Sequence, residues 1–181
     1  MKLKRLFEIQ KELDDHIIEK KGLQEKNVLP ELFLALHSEI GEFLNEWRGF
    51  KFWSEDQEPN IKPYTCKVCC EYSIGYGDSN PLLEEYIDCL HFLLSIGNKT
   101  GADEIDWIKP WQFHHMDVKD AILGFIDAAT NYRHFPSPSR YESLMKRFID
   151  IGYLLGYSLR DIEEAYLTKN KINHERQETG Y

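Results

Sequence analysis

The chain has 181 residues, and its 22 Lys and Arg stand against 31 Asp and Glu, a formal charge of −9. That balance argues against a generic nucleic-acid binder, whose affinity comes from clustered cations, but it leaves room for a phosphorylated ligand accompanied by a divalent cation. With 42% hydrophobic residues the chain can fill one domain, taken as residues 1–181, and no stretch approaches the roughly 20 apolar residues of a membrane span.

Helical periodicity begins at once. Leu6, Ile9, Leu13, Ile17 and Ile18 predict a first helix that Gly22 stops. The basic start, Met1 to Arg5, is followed by Glu8, Lys11 and Glu12 rather than an apolar run, so a signal peptide is not expected and the chain reads as cytoplasmic. Pro30 opens a second helix marked by Leu32, Leu36, Ile40, Phe43 and Trp47, ending near Gly49. Asn80 and Pro81 form the cap and first turn of a third, which runs through Leu83, Ile87, Leu90 and Leu94 to Gly97 or Gly101. Val118, Ile122, Phe125 and Ala129 predict a fourth. After the break at Pro136–Ser139 come a fifth, with Leu144, Phe148 and Ile151, and a last, capped by Ser158.

Residues 61–79 differ: Pro63, Cys66, Cys69, Cys70, Gly75 and Gly77 predict a loop or short hairpin insertion. The expected class is all-α, a helical bundle with a cysteine-bearing loop insertion between the second and third helices. Cys66 and Cys69 make half of a structural zinc site, which Cys70, a distant His or a second subunit would have to complete; reduced surface thiols are the alternative. Three clustered cysteines plus Cys89 do not resemble a disulfide framework, which points to a reducing compartment.

Two helices carry chemistry. Glu39 and Glu42, and again Glu85 and Asp88, lie three residues apart among large apolar side chains, so each pair shares one helix face. Four carboxylates turned toward a core would repel one another unless a cation neutralised them, and Mg²⁺ prefers such oxygens. An ordinary solvated face is the competing account. Glu46, a turn beyond Glu42, could join the site or support it; Glu84 is expected to point away into solvent. On the last helix Lys169, Asn173 and Arg176 form a stripe that suits either phosphate or simply the helix dipole.

The E-x-x-E and E-x-x-D pairs resemble the signature of the all-α nucleoside triphosphate pyrophosphatases. The stretches Glu39–Ser54, with its Phe-Lys-Phe-Trp-Ser ending, Leu83–Phe92 and Ala165–Tyr181 resemble more narrowly the dimeric, helical dUTPase family. One departure is that 42 residues separate Glu42 from Glu85, more than this family usually has, and the excess is the cysteine segment.

The resemblance implies hydrolysis of dUTP, and dUDP, to dUMP, with two or more Mg²⁺ ions held by Glu39, Glu42, Glu85 and Asp88. It implies a base in the first acidic helix, Glu42 with Glu39 in reserve, and attack at the β-phosphate. It assigns Lys169, Asn173 and Arg176 to the phosphate chain. Lys51 and Trp53, close in sequence to the acidic helix, would line the rim, or else be a snorkelling Lys and a core Trp. Gln10 lies in the helix this family uses at the base, and Asp14 stands where relatives often place Asn; both also fit an exposed helix. His91 shares the face of Asp88, as a core histidine or else a contact to the sugar or to a metal-bound water. A homodimer is implied as well, and the apolar Phe125, Tyr132, Phe135, Phe148, Ile151, Tyr153 and Leu154, with Gly152 and Gly156, are expected either to meet the partner or to fill the chain's own core. Competing functions are a related pyrophosphatase for dCTP or another nucleotide, and a non-catalytic nucleotide-binding helical module.

Overall fold

The computed structural model describes residues 1–61, 80–110 and 117–179. Six helices account for most of them: α1 (Leu3–Lys21), α2 (Leu29–Trp47), α3 (Pro81–Thr100), α4 (Val118–His134), α5 (Pro138–Leu154) and α6 (Leu159–Thr179). Among the described residues there is no strand, only an isolated bridge between Lys2 and Trp107. Cys66, Cys69, Cys70 and the 62–79 part of the expected insertion, like His114 and His115, lie outside the described residues.

The helix ends follow local chemistry. Gly22, at φ 65°, closes α1 in the left-handed region that glycine enters without steric cost. Asn80 accepts from the Leu83 amide (3.1 Å) and starts α3 together with Pro81. At α6, Ser158 Oγ accepts from the Asp161 amide (3.2 Å) while Asp161 accepts from the Ser158 amide (2.8 Å), a reciprocal cap. Of the two glycines offered for the end of α3, Gly101 ends it; Gly97 is interior. A Cβ at Gly97 would lie 2.5 Å from the Tyr141 hydroxyl and 2.6 Å from Phe7, so the glycine is there for close packing.

The bundle is arranged around α3, which packs against α1, α2, α5 and α6, while α4 pairs with α5. Twelve of its twenty residues are buried, so α3 is covered on most of its sides, as a central helix must be. Tyrosines tie the α4–α5 hairpin to it. Tyr86 stacks on Phe148 with centroids 4.2 Å apart and donates to the Phe148 carbonyl (3.0 Å). Tyr141 donates to the Leu93 carbonyl (2.7 Å), and Tyr132 to Thr100 Oγ1 (2.6 Å).

These contacts divide the apolar residues of the fourth and fifth helices between core and surface. Phe125, Tyr132, Phe148 and Ile151 are buried in the chain's own core, leaving Phe135 and Tyr153 exposed. Gly152 permits close approach to Tyr86 of α3, where a Cβ would fall 2.6 Å from the hydroxyl, and Gly156 serves a turn at φ 88°. Most of that apolar surface is intramolecular.

Candidate active site

The acidic helices α2 and α3 lie side by side. Glu39, Glu85 and Asp88 each bring a carboxylate oxygen within 4.8 Å of the others, all three half-buried. Such crowding disfavours charge. Burial, then the charges of Asp88 and Glu42, push Glu39 up to about 7. Burial and the same two neighbours push Glu85 up to about 7. Glu42 stays outside the converging set and exposed, yet its charge reaches both. Glu46 is bonded by the Asn60 side chain.

The cation that balances part of this charge comes from α6. Lys169 is only 8% exposed, and its Nζ donates to Asp88 Oδ2 (2.7 Å) and Glu84 Oε1 (2.8 Å). Burial alone would lower this ammonium's pKa, but its two carboxylate partners outweigh that and raise it. Burial also raises Asp88, with Lys169 opposing. Glu84 is exposed, as expected, and its carboxylate also engages Lys169 of α6.

One turn beyond Asp88 on α3 and beyond Lys169 on α6, a cavity of about 310 Å³ opens. Leu13, Ile17 and Ile18 of α1, Leu32 of α2 and Phe92 of α3 give it apolar walls. Its polar lining includes Gln10, Asp14, His91, Ser95, Asn173 and Arg176. The structure thus brings together Gln10, Asp14, His91, Asn173 and Arg176 from three helices separated in sequence. Lys51 and Trp53 are not among its lining residues. Trp53 is 66% exposed and packs edge-on against Phe50 and Phe52, while Lys51 reaches the Asn45 carbonyl (3.5 Å).

The polar lining is internally bonded. Gln10 Nε2 donates to Asp14 Oδ1 (2.9 Å) and Ser95 Oγ (3.1 Å), and Ser95 Oγ donates to Asp14 Oδ1 (2.9 Å). Gln10 Oε1 accepts from the Tyr166 hydroxyl (3.0 Å) and from His91 Nδ1 (2.7 Å). Burial lowers His91 to about 3, so the ring is neutral. Burial raises Asp14, and the bonds from Gln10 and Ser95 oppose the rise. Ser95 and Tyr166 were not singled out from the sequence. Ser95 had a signal, since it follows His91 by four and Asp88 by seven on one stripe of α3; Tyr166 precedes Lys169 by three on α6, a weaker clue.

Clustered carboxylates that resist ionisation, a buried lysine and an arginine beside a nucleoside-sized cavity suit the hydrolysis of a phosphorylated small molecule. A family model described as dUTPase matches residues 2–75 and 73–181. No curated protein sequence matches the chain.

Proposed function

The chain belongs to the dUTPase family, and from that membership we propose how its residues divide the work of a dUTP diphosphatase. Residues 1–181 act as one domain that hydrolyses dUTP, and dUDP, to dUMP with release of pyrophosphate or phosphate. Glu39, Glu42, Glu85 and Asp88 hold Mg²⁺, two or more ions per site. Three converging hard oxygen donors, two of them reluctant to ionise without a counter-charge, support that fit. Bound there, Mg²⁺ raises the acidity of water and offsets phosphate charge. Glu42 takes the proton of the attacking water, with Glu39 in reserve.

Lys169 and Asn173 donate to phosphate oxygens, Arg176 grips two at once, and Lys51 adds charge from the segment after α2. Gln10, Asp14, His91 and Trp53 serve the base and sugar. The assembly is a homodimer in a reducing cytoplasm, with a mass in light scattering near twice 21.4 kDa.

One observation carries this reading. Lys169, bonded to Asp88 at 2.7 Å, sits on the same α6 stripe as Asn173 and Arg176, so the carboxylate cluster and the phosphate-binding stripe meet at one contact. The test is a panel of dUTP, dUDP, dTTP and dCTP with and without Mg²⁺. Monophosphate release from the two uracil nucleotides alone, and only with Mg²⁺, is expected; equal rates on dCTP would replace the substrate assignment.

A further inference from the structure

Glu84 and Asp88 stand four residues apart on α3, so their carboxylates lie along one side of the helix. Lys169 of α6 reaches both, with Nζ 2.8 Å from Glu84 Oε1 and 2.7 Å from Asp88 Oδ2. The two bonds are alike in length and differ in setting. The Asp88 side chain is 19% exposed and belongs to the converging set with Glu39 and Glu85, whereas that of Glu84 is 49% exposed and stands outside the set. Asp88 therefore has two claimants, the ammonium and the cation that the three carboxylates suit, and Glu84 has one. When Asp88 turns its charge to a divalent cation, a second positive charge beside it is repelled. Lys169 cannot simply retreat into water, because it is buried, and a buried ammonium stripped of every carboxylate bears the full cost of desolvation.

We propose that Glu84 is a positioning residue which takes over the Lys169 ammonium when Asp88 is claimed by a divalent cation, and so keeps Lys169 docked against α3 in the loaded site. This rests on the reading that Asp88 is a metal ligand. Without metal the ammonium shares the two carboxylates and balances Asp88; with metal it leans on Glu84 alone. The attraction between Lys169 and Glu84 is thus stronger in the loaded protein, so Glu84 contributes to metal affinity through Lys169. A Glu84 that merely added one negative charge near the site would contribute equally whether or not Lys169 were present.

The test is a double-mutant cycle in the full chain, read as Mn²⁺ binding without nucleotide at pH 8. Mn²⁺ takes the same hard oxygen ligands as Mg²⁺, and the paramagnetic resonance of the free ion counts what remains unbound. Lys169→Met, which keeps a packed stem of similar length, should tighten binding about tenfold by removing the competing ammonium. Glu84→Gln should weaken binding about tenfold in the parent but only about twofold in the Lys169→Met background. A second measurement needs only the exposed Glu84 position to be changed. In nitrogen-15 NMR of the lysine ammonium groups, the Lys169 signal should survive addition of Mg²⁺ in the parent and be lost on the same addition in Glu84→Gln. Equal losses from Glu84→Gln in the two backgrounds, or a Lys169 signal that Mg²⁺ abolishes in the parent, would overturn the proposal. A parent that binds neither ion would overturn the metal reading and the exchange with it.

Discussion

At one end of the candidate site Glu39, Glu85 and Asp88 bring their carboxylates within 4.8 Å of one another, with the Lys169 ammonium bonded to Asp88 and Glu84. At the other end Gln10, Asp14, Ser95, His91 and Tyr166 exchange five hydrogen bonds, and only two buried atoms lack a partner. The first end carries a charge imbalance that a cation would relieve. The second is organised before any ligand arrives, so little ordering is left for binding to accomplish. Buried polarity can therefore serve as an unmet demand or as a finished template, and this molecule uses one of each.

The largest effect that could break this contrast is on turnover. Glu42→Gln and Asp88→Asn should each lower kcat in Mg²⁺ by at least about a thousandfold, because each removes charge needed where the reaction builds it up. Near-parental rates in either variant would refute the acidic end as the reaction centre. Arg176→Ala should follow, with kcat/KM reduced by hundreds-fold, on the order of 3–4 kcal/mol. Parental kinetics there would reduce the stripe to a favourable helix dipole.

A smaller effect sharpens the electrostatic side. Glu39 and Glu85 have folded-state values near 7 against an ordinary 4.5, so the native state keeps protons that the unfolded chain has released. Stability of the metal-free protein should thus be greatest below about 4.5 for these two groups and fall as pH rises through about 7. Both groups are partly exposed, and after solvent screening the drop is roughly 1–2 kcal/mol. Thermal melts at pH 5 and pH 8 should show it, and Mg²⁺ or Glu39→Gln should flatten it. Asp88→Asn should bring no such gain, because it strips Lys169 of one of its two partners. The smallest effect belongs to the other end. Ser95→Ala should cost about 1 kcal/mol by leaving a Gln10 hydrogen unmet, and equally at pH 5 and pH 8. A pH-dependent loss would mean that the template shares the carboxylates' imbalance.

What could be foreseen from the residues was whatever is encoded within a turn or two. Gly22, Asn80 with Pro81, and Ser158 mark helix ends because capping is local, and the spacings of Glu39 with Glu42 and Glu85 with Asp88 place each pair on one face. What depends on a neighbouring helix was hidden. Glu84 lies four residues before Asp88 and so on its side of α3, yet only the position of Lys169 on α6 gives the two a shared partner. Tyr166 and Ser95 read as ordinary helix residues until α1 brings Gln10 between them. The apolar faces of α4 and α5 had two readings because periodicity shows which side is greasy and says nothing of what covers it.

Gly97 has a bearing on how tolerance to substitution should be interpreted. It lies two positions past Ser95 and six past His91 on the helix that supplies Glu85 and Asp88, yet what forbids a side chain there is the crossing with Tyr141 and Phe7. A saturation scan scored by dUTP hydrolysis would return Gly97 among the least tolerant positions, indistinguishable in rank from Asp88. Scored instead by protein abundance, the two would part: substitutions at Gly97 would deplete the protein, while Asp88→Asn would leave it plentiful and inert.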